Sequence, residues 1–195
     1  MDGMQWMGSA MRAAREQLEG AAHNLANAAT DGFRKAAAQV RLGDRGLIVS
    51  TRTTSEQGAV RSTGRTFDLA LLGAGAFRVG DGSTRNGAFT RDRDGWLVDD
   101  RGRRLHGACG PLRVGESATI AADGTVHDGA RIVDRIPLPR GTRLLAGALE
   151  TSTVNPVGET LAILTAQRAF ETAQKTLLAI DATREKAAND VVRVQ

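Results

Sequence analysis

Two stretches at opposite ends of the chain carry apolar residues at alternating steps of three and four. Toward the C-terminus these are Ile163, Ala166, Phe170, Ala173, Leu177 and Ile180; Arg184 interrupts the series, and Ala187 and Val191 resume it. That spacing predicts a helix with a seam that requires a partner helix. Asn155 suits its N-cap, and Pro156 suits the first turn, where a missing N–H costs nothing. Near the N-terminus, Met4, Met7, Met11, Ala14, Leu18, Ala21, Leu25 and Ala28 repeat the pattern. They predict a second helix from about Asp2 to Ala28, roughly 40 Å long. Met and Ala make that seam close-packing and adaptable, while Arg12, Arg15, Glu16 and Glu19 lie away from it.

The two seams are natural mates, but the C-terminal helix has a second apolar edge. Val157, Leu161, Leu164 and Leu178 fall roughly opposite the first seam, on the side shared by Arg168, Glu171 and Lys175. One partner helix cannot cover both sides; either a large core surrounds this helix or other copies of the chain do. Pairing the ends closes a long loop, at on the order of 4 kcal/mol or more, besides the ordering entropy of both helices. Burying Met11, Leu18, Leu25, Phe170, Leu177 and Ile180 returns about 1.5–3 kcal/mol each. The balance is close. The expectation is therefore that the terminal helices are frayed or unfolded in the free monomer and are fixed by neighbouring copies.

Between the helices the texture changes. Asn24, Asn27, Thr30 and Asp31 read as capping and turn residues, with Gly32 in the left-handed conformation that stops a helix. Residues 34–62 read as an extended connector broken by Gly43, Gly46 and Gly58, with Leu47-Ile48-Val49 as a short strand. From 63 to 149, short apolar runs alternate with turn dipeptides such as Asp81-Gly82, Asn86-Gly87, Asp94-Gly95, Asp123-Gly124 and Asp128-Gly129. Asp68–Leu72, Ala76–Val79, Trp96–Asp99, Leu112–Val114, Thr119–Ala121, Thr125–His127 and Arg131–Ile136 are the strand candidates. The predicted class is α+β: paired N- and C-terminal helices forming a coiled coil (1–33 and 150–195), with an inserted, mostly antiparallel β domain (63–149).

Composition narrows the function. A chain of 195 residues is long enough to bury a core. The net charge is +4, but arginines alternate with acids, as in Arg91-Asp92-Arg93-Asp94. This favours a solvated surface over the segregated basic patch of a nucleic-acid binder. Cys109 is the only cysteine, so no intrachain disulfide forms. No apolar run is long enough to span a bilayer, and the stretch from Met1 to Glu16 lacks the pattern of a cleaved signal peptide.

No constellation argues for an enzyme. Gly73-Ala74-Gly75 lacks the third glycine and the following helix of a dinucleotide loop, and no Walker-type lysine follows. Asp92, Asp94 and Gly95 lack the spacing and closing glutamate of a calcium loop and fit a hairpin turn. His23, His106 and His127 have no ligand-spaced neighbours. Cys109 sits in a turn-like stretch without a nucleophile-elbow context and reads as a small buried or idle thiol. No cofactor, metal or small-molecule substrate is implied.

Three blocks of residues carry a family resemblance. The first is Asn24-Leu25-Ala26-Asn27 followed by Thr30, Gly32 and Phe33. The second is Gly64, Asp68-Leu69-Ala70, Gly73, Gly75 and Phe77, then Thr84-Arg85-Asn86-Gly87, Phe89, Gly95-Trp96-Leu97-Val98, Gly102 and Gly107. The third is Leu149-Glu150, Ser152, Val154-Asn155, Val157 and Glu159, then Gln167-Arg168-Ala169-Phe170-Glu171, Lys175 and Asp181. In this order they resemble the bacterial flagellar basal-body rod and hook proteins across nearly the whole chain. The middle block and the Met1-Asp2 start are most similar to the proximal-rod member, with the distal-rod member next.

The chain departs from the family pattern in its shorter length, in Thr153 where Asn is usual, and in the single residue Ala76 before Phe77. The resemblance implies a non-enzymatic subunit, exported by the flagellar type III apparatus without a cleaved signal. It would polymerise with copies of itself and other rod proteins into the drive shaft crossing the envelope, with no membrane insertion and no nucleic acid. The residues that the seams and the resemblance together point to for helix pairing and assembly are Met7, Met11, Leu18, Asn24, Leu25, Asn27, Gly32, Phe33, Leu161, Ile163, Leu164, Gln167, Arg168, Phe170, Glu171, Leu177 and Ile180. A hook or distal-rod subunit is the alternative within the family. Outside it, the alternative is a basic β domain that binds nucleic acid and dimerises through its helices.

Overall fold

The structure, a computed structural model, describes residues 3–44 and 46–193, with side chains as far as residue 187. Met1, Asp2 and the side chain of Val191, which the sequence reading invokes, lie outside the described residues. The chain forms two units. One comprises Met1–Ala26, Lys35–Thr54 and Val154–Gln195; the other comprises Asn27–Arg34 and Ser55–Thr153.

The first unit holds α1 (Gly3–Ala26), a hairpin of β1 (Ala36–Gly43) and β2 (Gly46–Thr53), and α2 (Pro156–Arg193). The two helices pack along one another, as the matched seams predict. α2 opens as its sequence requires: Asn155 Oδ1 accepts from the N–H groups of Val157 and Gly158 at 3.1 and 3.3 Å, with Pro156 in the first turn. α1 ends two residues earlier than expected, in a turn where the N–H of Thr30 donates to the Asn27 carbonyl at 3.1 Å. Ala28 thus lies beyond the helix, and Gly32 does not terminate it.

The hairpin departs from the reading of 34–62 as an extended connector. β1 and β2 pair antiparallel without a break from Ala36↔Thr53 to Gly43↔Gly46. Ala36, Ala38, Val40 and Leu42 do alternate with Ala37, Gln39 and Arg41, but small alanines mute the contrast, and the glycines that look like breaks flank the turn. The hairpin packs on α1. Buried Ser9 donates its hydroxyl to the Trp6 carbonyl at 2.8 Å and accepts from the N–H of Leu47 at 3.2 Å. Gly46, at φ 121°, lies so close to Ser9 that a Cβ there would overlap its side chain.

The second unit is built from β3 (Val60–Ser62), β4 (Leu69–Leu72), β5 (Phe77–Val79), β6 (Gly82–Thr84), β7 (Thr90–Arg91), β8 (Leu97–Val98), β9 (Ala118–Ile120), β10 (Thr125–Asp128), β11 (Arg131–Arg135), β12 (Arg143–Ala146) and β13 (Ala148–Glu150). All pairings are antiparallel: β9 with β10 and β10 with β11 in one three-stranded sheet, and β3–β13, β4–β12, β5–β6 and β7–β8 as two-stranded ladders. Leu112–Val114, read as a strand, makes only an isolated bridge at Arg113, although Leu112 exchanges backbone bonds with Leu97 and Leu105. The apolar members of these runs face one core of Leu69, Leu71, Phe77, Val79, Phe89, Leu97, Leu105, Leu112, Val126, Ile136, Leu144 and their neighbours. Phe77 and Phe89 meet edge to face at 5.3 Å, the preferred arrangement for an aromatic pair.

Candidate functional site

The heptad spacing of α2 sorts its residues into two faces. Ala166 and Ala173 are buried, and Ile163, Phe170, Leu177 and Ile180 are half-buried. On the opposite face Val157, Leu161, Leu164 and Leu178 stand 70, 60, 46 and 61% exposed. Gln167, Arg168, Glu171 and Lys175 are exposed with them. On α1, Met7, Met11, Leu18 and Leu25 are half-buried and Ala13, Ala14 and Ala21 are buried, while Met4 is 37% exposed. The helix is covered on two sides, by α2 and by the hairpin, so its buried positions outnumber those of a single seam.

A polar cluster ties the start of α2 to the end of α1. Asn24 is buried. Its Nδ2 donates to the Ala36 carbonyl at 2.9 Å, and its Oδ1 accepts from the Ala36 N–H at 3.0 Å. The amide side chain thereby pairs with the first residue of β1 as a neighbouring strand would. The same Nδ2 donates to Glu159 Oε2 at 3.0 Å, and Lys35 pairs with the other oxygen of this buried carboxylate. Asn24 is therefore a tie between elements and not the helix cap its sequence context suggests. Asn27 does take the turn role, accepting from the Thr30 hydroxyl at 3.3 Å. The sequence pattern carries a signal for Glu159: one step of four back from Ile163 extends the covered seam onto a carboxylate.

In the β unit, Glu150 is the point of convergence. Its buried carboxylate accepts from Arg85 Nε at 2.8 Å and from Arg85 Nη2, and from the Gly58 N–H at 3.1 Å. The remaining Arg85 donors go to the carbonyls of Gly73, Gly75 and Leu71 at 3.1, 2.6 and 3.0 Å. The Gly73-Ala74-Gly75 turn thus serves an arginine and not a phosphate. Arg34 Nε lies 3.8 Å from the same carboxylate. Burial and the charge of Arg85 hold the Arg34 guanidinium below its ordinary pKa, against the pull of Glu150. The segments that leave α1 and enter α2 are joined here: Gly32 N–H donates to the Glu150 carbonyl at 2.6 Å, and Thr153 N–H to the Phe33 carbonyl at 3.0 Å. Gly32 has φ 68°, and a Cβ would overlap the Arg85 backbone. Residues from all three quoted blocks meet at this point.

The candidate chemistry elsewhere resolves into turns. Asp92 Oδ1 accepts from the N–H groups of Asp94 and Trp96 at 3.0 and 2.8 Å. Cys109 is a free, exposed thiol rather than a buried one. Among the described residues no helix is long and apolar enough to cross a membrane.

A helix pair that leaves one apolar face of α2 unmatched marks a structural subunit made for assembly. Residues 145–190 match the family of flagellar basal body rod FlgEFG proteins, C-terminal part. The chain is 32% identical to the flagellar basal-body rod protein FlgF of Escherichia coli, over 90% of this chain and 92% of that one. It is 29% identical to FlgF of Caulobacter vibrioides over 100% and 98%, and 27% identical to the rod protein FlgG of Bacillus subtilis over 93% and 96%. The chain belongs to the flagellar basal-body rod family and is a non-enzymatic, FlgF-like structural subunit of the rod. Its alignment with the Caulobacter protein extends over 244 positions against 195 residues here, so that relative carries segments absent from this chain.

Proposed function

We propose that this subunit polymerises helically through its terminal helices into the rod that transmits torque across the cell envelope, at the proximal position. The supporting observation is the outer face of α2, where four large aliphatic side chains remain 46–70% exposed opposite a face already covered by α1. Leaving such a strip in water is unfavourable by about 25 cal/mol per Å², so neighbouring copies are its natural cover. A contact between two different surfaces of identical subunits repeats without closing and builds a filament. Copies of the chain and other rod proteins are the partners, and delivery is through the flagellar type III apparatus. Similarity to FlgF over nearly full length supports the proximal position. Arg168, Glu171 and Lys175 set register along the strip, adding little energy as exposed charges.

Leu164→Asp tests this reading. The variant is expected to stay soluble with unchanged helix content, and cells carrying it are expected to lose assembled rods and motility. Normal swimming would contradict the proposal.

A further inference from the structure

Two buried arginines of the β unit share one carboxylate on very different terms. A guanidinium carries five N–H donors. Those of Arg85 make five hydrogen bonds, two to Glu150 and three to the carbonyls of Leu71, Gly73 and Gly75. Those of Arg34 make none among the described residues. Its side chain is only 19% exposed, and its Nε is buried without a hydrogen-bond partner. Its ion pair with Glu150, at 3.8 Å, lies beyond hydrogen-bond reach. That carboxylate is already engaged: Oε2 takes two donors from Arg85, and Oε1 takes the Gly58 N–H. The charges that act on Arg34 are those of Arg85 and Glu150, so two guanidiniums face one carboxylate and one positive charge is left over. Buried donors without acceptors and a buried charge without a counter-charge are both unfavourable. One negatively charged acceptor relieves both.

We infer that Arg34 is the receptor for a carboxylate from outside the chain. Charge and shape set the chemical class. One edge of a guanidinium presents paired N–H groups that match the two oxygens of a carboxylate. A single negative charge balances the site at two arginines and two carboxylates, whereas a phosphate dianion would overshoot. Only a narrow group reaches a side chain this largely covered. The ligand is therefore the tip of an acidic side chain from another protein chain, or a free small carboxylic acid. Nothing in this site depends on how the outer face of α2 is covered, so it stands or falls separately from the rod reading.

The experiment uses the full chain and two probes, sodium acetate and N-acetyl-glutamate methylamide, titrated at constant ionic strength with sodium chloride as the balancing salt. The reporter is the Arg34 Nε–H resonance in a proton–nitrogen correlation spectrum, assigned by its loss in Arg34→Lys. At least one probe is expected to move this resonance to saturation while that of Arg61, an exposed arginine, stays nearly still. Arg34→Lys keeps the charge but lacks the fork, and calorimetry is expected to show binding weakened by about tenfold, the loss of one charge-assisted hydrogen bond. Tighter binding of the blocked glutamate assigns the carboxylate to a protein partner, and tighter binding of acetate assigns it to a free acid. No saturation with either probe would overturn the inference. So would equal movement of Arg61, which marks a general response to salt, or unchanged affinity in Arg34→Gln. The titration of the parent chain decides the matter even where a variant folds poorly.

Discussion

Arg85 shows how much one residue organises. Its guanidinium forms a fork on buried Glu150 and reaches three carbonyls besides. Removing one member of a buried ion pair leaves the other charge uncompensated, at about 3–5 kcal/mol. Arg85→Ala should therefore lower the stability of the β unit by that amount in denaturant unfolding, and Arg85→Lys should not restore it, because an ammonium lacks the planar fork. Asp99 makes a prediction in pH. Burial pushes its carboxyl up, but hydrogen bonds from the backbone N–H and guanidinium of Arg103 and the N–H of Arg101 outweigh this and hold its pKa below the ordinary value. A lowered native pKa stabilises fully above the unfolded value of about 3.9 and is lost as pH falls through the native one. Asp99→Asn should make the acid limb of a stability–pH curve shallower and leave its slope near neutrality unchanged. The sequence could not supply these roles. Arg85 and Glu150 lie 65 positions apart, and a single charge beside a turn or at the end of an apolar run looks like a solvated surface group until the fold joins the two.

At the level of elements, α2 was legible in detail because its signal is local. The step of three and four, the Asn155 cap and Pro156 all lie within or next to the helix, and from Ile163 to Ile180 the residues of its seam are those the fold covers, whereas Ala187, read as resuming it, is exposed. The β unit was legible in part. Runs with large aliphatic residues between Asp-Gly turns became strands, while β6 and β7 are two or three residues long and lack large aliphatic residues, and β3, β12 and β13 take their conformation from partners distant in sequence. The hairpin was missed because its apolar face begins with two alanines. Phe170 gives the test of helix pairing. It is half-buried on the covered seam, so Phe170→Ala should weaken the α1–α2 pair by less than the roughly 3–5 kcal/mol of a fully buried phenylalanine. Hydrogen exchange should then rise along both helices and not in the β unit; equal protection would remove Phe170 from the pairing seam.

For the whole molecule, the central claim is that α2 serves two masters: one face is held by α1 of its own chain, and the other waits for neighbouring subunits in the rod. Thiol labelling reads both faces in the same protein. In a Cys109→Ser background, Leu164→Cys should react readily with a maleimide in the isolated subunit and become protected in purified basal bodies, whereas Phe170→Cys should react slowly in both. Equal labelling of Leu164→Cys before and after assembly would contradict the account.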